Sequence, residues 1–189
     1  MDAPLPLDPQ LSAFVQAVRF QTADEYPRSA PYAVLPGPFP VMGFRVAGEL
    51  RVIRESDTEL LAPAGMTGIQ ERPQSYEPLP RTRTVLVVLR PEAAFGLFGV
   101  PMDELVNREL ALDQLLPARV ARRATNRIAD ARTSAEAIGA VTSLLVQVAN
   151  GARKHVHPAV IAAVSTILSS HGNARIEHVA SASSLSRRS

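Results

Sequence analysis

"RTRTVLVVLRP", residues 81–91, governs how the rest of the chain is read. Val85 to Leu89 are all Val or Leu, and Pro91 closes the run. β-branched residues favour extended backbone, and an apolar run without polar alternation predicts a strand covered on both faces. Proline can neither donate to a sheet ladder nor sit inside a helix, so Pro91 marks a boundary. Composition changes at that point. Residues 1–90 hold 12 of the 16 prolines, with 9 basic and 10 acidic residues; residues 91–189 hold 4 prolines, with 11 basic and 8 acidic residues. The first part therefore predicts strands and turns and the second helices, an α+β chain.

Upstream of the boundary, "PFPVMGFRVAGELRVIRE" (38–55) predicts a hairpin turning at Gly48, with Leu50, Val52 and Ile53 set against Arg51 and Arg54. "ELLAPAGMTGIQ" (59–70) predicts strand, turn, strand around Pro63 and Gly65, and "DPQLSAFVQAV" (8–18) a short helix running into a strand near Phe20. Downstream, a short helix is expected from Pro91 to Gly99 and another turn at Pro101. Residues 118–131 carry a helical stripe of Val120, Ala124, Ile128 and Ala131, with Arg122, Arg123 and Arg127 elsewhere around it. Thr133 and Glu136 have capping-box spacing ahead of Ile138, Val141, Leu145 and Val148. That 3-4-3 spacing suits a core helix or a dimer seam, and those four residues are the candidate seam. "HPAVIAAVSTILSSHG" (157–172) predicts a last apolar helix, with a second stripe in Val160, Ile161, Val164 and Leu168.

Composition narrows the function classes. A chain of 189 residues with 46 % apolar and 20 % charged residues can bury a core. It has no cysteine, which removes disulfides and thiolate chemistry. The N-terminus lacks the charged and apolar regions of a signal peptide. The longest weakly polar stretch, residues 137–149, is short of the about 20 residues a membrane span needs, so a cytoplasmic location and no membrane partner are expected. A net charge of +2 does not by itself mark a nucleic-acid binder. His155 and His157 sit in "HVHP" at a helix entrance, and residues 1–90 contain no histidine, so the pair reads as exposed loop rather than metal site. No nucleophile–base motif or phosphate loop occurs, so no catalytic residue, metal or cofactor is expected. Arginine is different, because its planar fork can hold a carboxylate. Among the arginines spread through the strands (Arg45, Arg51, Arg54, Arg72), Arg45 and Arg72 are taken with Phe44 as ligand candidates.

The last stretch, "IEHVASASSLSRRS" (176–189), reads as a short helix, a turn and the start of a second helix. Ile176, Val179 and Ala180 would form the buried face of the first and Leu185 would pack in the turn. Ser186 would cap the second, and Arg187 and Arg188 would meet phosphate in its first turn.

Four segments in order, "VLPGPFPVMGFRVAG", "APAGMTGIQERPQSY", "VLVVLRPEAAFGLFGVPMDELVNRELALDQLLP" and "IEHVASASSLSRRS", resemble the sensor region of AraC-type transcriptional regulators. The third is the most specific, with Arg-Pro ending a strand, Gly-Val-Pro, an acidic-Leu pair and Leu112-Asp113 before Leu116. Glu92 and Ala93, and later Ser183 and Ser184, depart from that family's pattern. The resemblance implies a β-rich, cupin-like or partly open barrel as sensor domain at residues 1–90. A helical dimerisation or linker region at 91–172 and a helix-turn-helix fragment at 173–189 would follow. It implies a small-molecule effector, a homodimer, and DNA as partner of the full-length protein. The alternative is a small-molecule-binding or enzymatic cupin-like domain without a DNA role.

Overall fold

In the computed structural model, residues 8–23, 30–55, 57–151 and 155–184 are described. Among the described residues, eight strands precede Pro91: β1 (Val15–Thr22), β2 (Tyr32–Val34), β3 (Val41–Ala47), β4 (Leu50–Ile53), β5 (Thr58–Leu60), β6 (Ala64–Thr67), β7 (Gln74–Pro78) and β8 (Arg83–Leu89). Then come α1 (Ala93–Phe98), β9 (Glu109–Ala111), α2 (Leu112–Leu115), α3 (Ala118–Ala129), α4 (Ser134–Gly151), α5 (Pro158–Ser169) and α6 (Ile176–Ala182). The fold is α+β, a β-rich part followed by a helical part. The expected N-terminal helix is only a 3-10 turn, Pro9–Leu11, because the strand already starts at Val15.

The strands form two antiparallel sheets, one of order β1-β8-β3-β6-β9 and one of order β2-β7-β4-β5. β8 is an interior strand, as its apolar run predicts. Val85, Val87 and Leu89 are fully buried on one face, while Thr84, Leu86 and Val88 line a cavity on the other. The expected β3–β4 hairpin does not form. β3 pairs with β6 and β8, and β4 with β5 and β7, so the turn at Gly48 carries the chain from one sheet to the other. Gly48 has φ +73°, and a Cβ there would lie 2.6 Å from the Thr82 backbone. Only glycine accepts both the left-handed conformation and that approach. The five-stranded sheet also takes its last strand from beyond Pro91, since β9 pairs with β6.

One core fills the space between the five-stranded sheet and the helices. Met42, Phe44 and Val46 of β3, Ala64 and Met66 of β6 and the odd residues of β8 meet Ala93, Ala94 and Leu97 of α1, Leu112 of α2, Ala121 and Ile128 of α3 and the apolar face of α4. Burying each large aliphatic side chain contributes about 1.5–3 kcal/mol. Within α4, Val141 and Leu145 are each 1 % exposed, with Ile138 and Val148 packed beside them. These four are the residues of the expected dimer seam. Two of its four residues are consumed by the chain's own core, because α4 is the helix that covers β1 and β8. Glu136 does cap the start of α4, its N–H donating to Thr133 Oγ1 over 3.1 Å while its carboxylate accepts from Arg132 N–H over 2.8 Å.

α5 and α6 pack on one another. His157 caps α5, its Nδ1 accepting from Ala159 N–H at 3.2 Å, so this imidazole has a structural task. α6 buries no residue fully. Ile176, expected on its inner face, is 73 % exposed, and only Val179 and Ala180 are half-covered. Leu185, Ser186, Arg187 and Arg188 lie outside the described residues. Among the described residues, no helix is long and apolar enough to cross a membrane.

Candidate functional site

Strand alternation gives the five-stranded sheet two faces of different use. The even residues of β3 and β6 and the odd residues of β8 face the helical core. Their neighbours, Val41, Gly43 and Arg45, Gly65 and Thr67, and Thr84, Leu86 and Val88, face the second sheet. Between the sheets lies a cavity of about 540 Å³. Leu50, Leu60 and Tyr76 supply part of the opposite wall. A space of this size, mostly apolar with a few fixed polar groups, has the anatomy of a small-molecule site.

The three ligand candidates separate on this geometry. Arg45 lines the cavity and is 8 % exposed. Its guanidinium donates to the Leu61 carbonyl, and its own N–H donates to the Pro63 carbonyl over 2.8 Å. Burial lowers its pKa from the usual guanidinium value, and the more distant Glu49 acts in the opposite direction. Phe44 is not on the cavity wall. It is one position from Arg45 on a strand, so it points to the other face, where it is fully buried in the core. Arg72 is exposed in the loop before β7 and away from the cavity wall.

A second polar cluster lies beside the cavity, outside the residues the sequence singles out as ligand candidates. Tyr76 on β7 donates its hydroxyl to Glu109 Oε1 over 3.1 Å, and Arg54 donates to Glu109 Oε2 over 3.0 Å. Arg54 also reaches Glu59 at 3.2 Å. Tyr76 and Arg54 belong to one sheet and its edge, and Glu109 to the other, so the cluster ties the two sheets together beside the cavity. The only sequence signal for it is a tyrosine and a carboxylate on opposite sides of Pro91, far apart in the chain. Glu109 also opens β9, which runs directly into α2. There Gln114, another cavity residue, accepts from Ala111 N–H over 2.8 Å. Any ligand touching β9 thus touches the base of the helical part.

Burial pushes the Tyr76 pKa well above its ordinary value, helped by the neighbouring Glu109 charge and opposed by a hydrogen bond from Thr67. Burial also raises Glu109, with Tyr76 and Arg54 pulling the other way. A group whose folded-state pKa is raised contributes stability that is present below its unfolded pKa and is lost as the pH climbs towards the folded value. For a tyrosine that loss begins near pH 10. Alkaline unfolding of the parent chain is therefore expected to set in from about pH 10, and Tyr76→Phe is expected to move the onset upward. Circular dichroism against pH checks this; an unchanged onset in Tyr76→Phe would place the ionising group elsewhere.

Two glycines form a register pair on the cavity floor. A Cβ on Gly43 would meet nothing closer than Leu86 Cδ2 at 3.9 Å, whereas one on Gly65 would lie 2.5 Å from the Leu110 carbonyl oxygen. Gly43→Ala is expected to leave stability within about 1 kcal/mol of the parent, while Gly65→Ala costs about 1–3 kcal/mol because the β6–β9 ladder must shift. Denaturant melts of the two variants check this, and equal midpoints would contradict it.

Comparison with known proteins adds three findings. No curated protein sequence matches the chain. Among solved structures, the AraC-like transcriptional activator CuxR is similar at 13 % identity and a TM-score of 0.39, covering 84 % of this chain and 64 % of that one. The catabolite activator protein of Thermus thermophilus is similar at 18 % identity and a TM-score of 0.31, covering 95 % and 76 %. The chain thus spans less than two thirds of the CuxR structure's length. A family model matches residues 5–111, which takes in both sheets and the cavity wall except Gln114, and the chain belongs to that family, described as a domain of unknown function (DUF6597).

Proposed function

We propose that this chain is the effector-sensing and dimerisation part of an AraC-type DNA-binding transcription regulator, working in the cytoplasm and performing no catalysis itself. The observation that carries the sensing role is the cavity of about 540 Å³ between the sheets, with the buried Arg45 in its wall. The ordered sequence segments that resemble such regulators support the DNA role. In this scheme the β-rich part is the cupin-like sensor, and α5 leads into α6, which is the first helix of the helix-turn-helix fragment. Ligand contact at β9 would pass to α2 and α3, which pack against one another and against the sheet. Dimerisation would use α5, where Val160, Ile161 and Ile167 are each close to 45 % exposed, rather than the buried face of α4.

The test uses the complete gene product. Genomic fragments it retains at physiological salt are sequenced. One or a few strongly enriched sites are expected, because base contacts discriminate over a non-specific background by at least about a thousandfold. Retention without sequence preference would leave only the electrostatic attraction any basic protein shows and would overturn the regulator assignment.

A further inference from the structure

Cross-strand register arranges the cavity face of the five-stranded sheet in three rows. Gln21, Thr84 and Arg45 stand level with one another; Arg19, Leu86, Gly43, Gly65 and Ala111 form the next row; Val88, Val41, Thr67 and Glu109 form the third. The first row ends on a buried cation, and the middle row starts at Arg19 and Leu86 and runs into a floor of Gly43, Gly65 and Ala111. The third row ends on the Glu109–Tyr76 pair, with Thr67 beside it. Rows one and three are four residues apart along the strands, about 14 Å at 3.4 Å per residue, and Arg45 on β3 and Glu109 on β9 are also two strands apart, so their backbones lie about 17 Å from one another.

The two ends want opposite chemistry. Arg45 makes no ion pair among the described residues: its guanidinium donates to the Leu61 carbonyl, and Glu49 acts on it only from beyond ion-pair distance. A guanidinium has five N–H donors in a planar fork, and a buried charge is costly unless it is paired. The first row thus suits a carboxylate. The third row is rich in acceptors. The Glu109 carboxylate takes one bond on each oxygen, from Tyr76 and Arg54, and each oxygen keeps a further lone pair. That end suits a donor.

We propose, resting on the sensor assignment above, that the cavity takes a short organic acid bearing a hydrogen-bond donor, hydroxyl or ammonium, at the far end of an apolar spacer. The carboxylate sits on Arg45, the spacer lies over Gly43 and Gly65 beneath Leu50 and Leu60, and the donor meets Glu109 and Tyr76. A six-carbon ω-hydroxy acid is the probe of this chemistry, since it carries a carboxylate and a hydroxyl on an apolar spacer and is small enough for a cavity of about 540 Å³.

Calorimetric titration of the whole chain with 6-hydroxyhexanoate, hexanoate and hexane-1,6-diol tests this. The hydroxy acid is expected to bind at least about tenfold tighter than the diol, because a charge-assisted bidentate pair is replaced by a neutral bond. It is expected to bind several-fold tighter than hexanoate, which lacks the donor. Arg45→Gln should erase the preference for acid over diol while binding the diol as the parent does. The comparison among the three probes on the parent chain stands even if that variant fails to fold. Equal or tighter binding of the diol, or no binding of any probe at millimolar concentration, overturns the inference. If the probes fail but the purified parent carries some other small molecule that Gly43→Leu does not, the organic-acid class is wrong and the sensor assignment survives. If neither probes nor any carried molecule bind, both fall.

Discussion

Leu145→Asp is expected to leave no folded protein. Leu145 is 1 % exposed, and Ala137, Val141 and Leu144 surround it on the same face of α4. Removing a buried leucine side chain costs about 2–5 kcal/mol. A carboxylate buried without a partner adds several kcal/mol more unless it is protonated. The sum approaches the about 5–15 kcal/mol by which domains are stable. Circular dichroism and sedimentation of the variant beside the parent are the check. A folded, monomeric variant from a dimeric parent is the result that the 3-4-3 spacing taken as a seam would give, and it would contradict the buried position. Ile161→Asp, on a side chain 45 % exposed, is the contrasting substitution. It should fold with a stability change within about 0.5 kcal/mol apart from any loss of a dimer.

Phe44→Ala is expected to cost about 3–5 kcal/mol, since the ring is fully buried between the sheet and the helices and its removal leaves a void. For a chain of this length that corresponds to a melting point lower by roughly 6–20 °C. Below the melting transition its affinity for a cavity ligand should equal the parent's, because Phe44 and Arg45 face opposite ways. A thermal melt with a ligand titration separates the two roles. An unchanged melting point with lost binding would return Phe44 to the site.

How far the sequence carries can be seen at individual residues. β8 was legible because its apolar run has one reading, an interior strand, and α1, α3 and α4 because caps and 3.6-residue stripes are local. Arg45 was reachable for the same reason: a charged residue inside an otherwise apolar strand has to face something polar or empty. Period-two alternation also puts it and Phe44 on opposite faces of β3. The crossing at Gly48 was not legible, because two strands joined by a glycine turn look alike whether they pair or part into different sheets. β9 is three residues, "ELA", inside a helical region, and its strand character comes from the free edge of β6 rather than from its own propensity. Glu109, Tyr76 and Arg54 meet only after both sheets form. The cavity itself is the space left by residues from strands far apart in the chain, so no local pattern announces it.

The sensor assignment requires that the space between the sheets hold a small molecule. Its most direct test is native mass spectrometry of the parent chain and of Gly43→Leu, each exposed to a small-molecule extract of the source cells and then desalted. The leucine side chain would stand in the middle of the cavity floor, where a Cβ meets only ordinary contacts at 3.9 Å and 4.0 Å, so the variant should fold. The parent is predicted to retain one organic molecule per chain and Gly43→Leu none. Retention of the same molecule by both proteins, or by neither, would contradict the account.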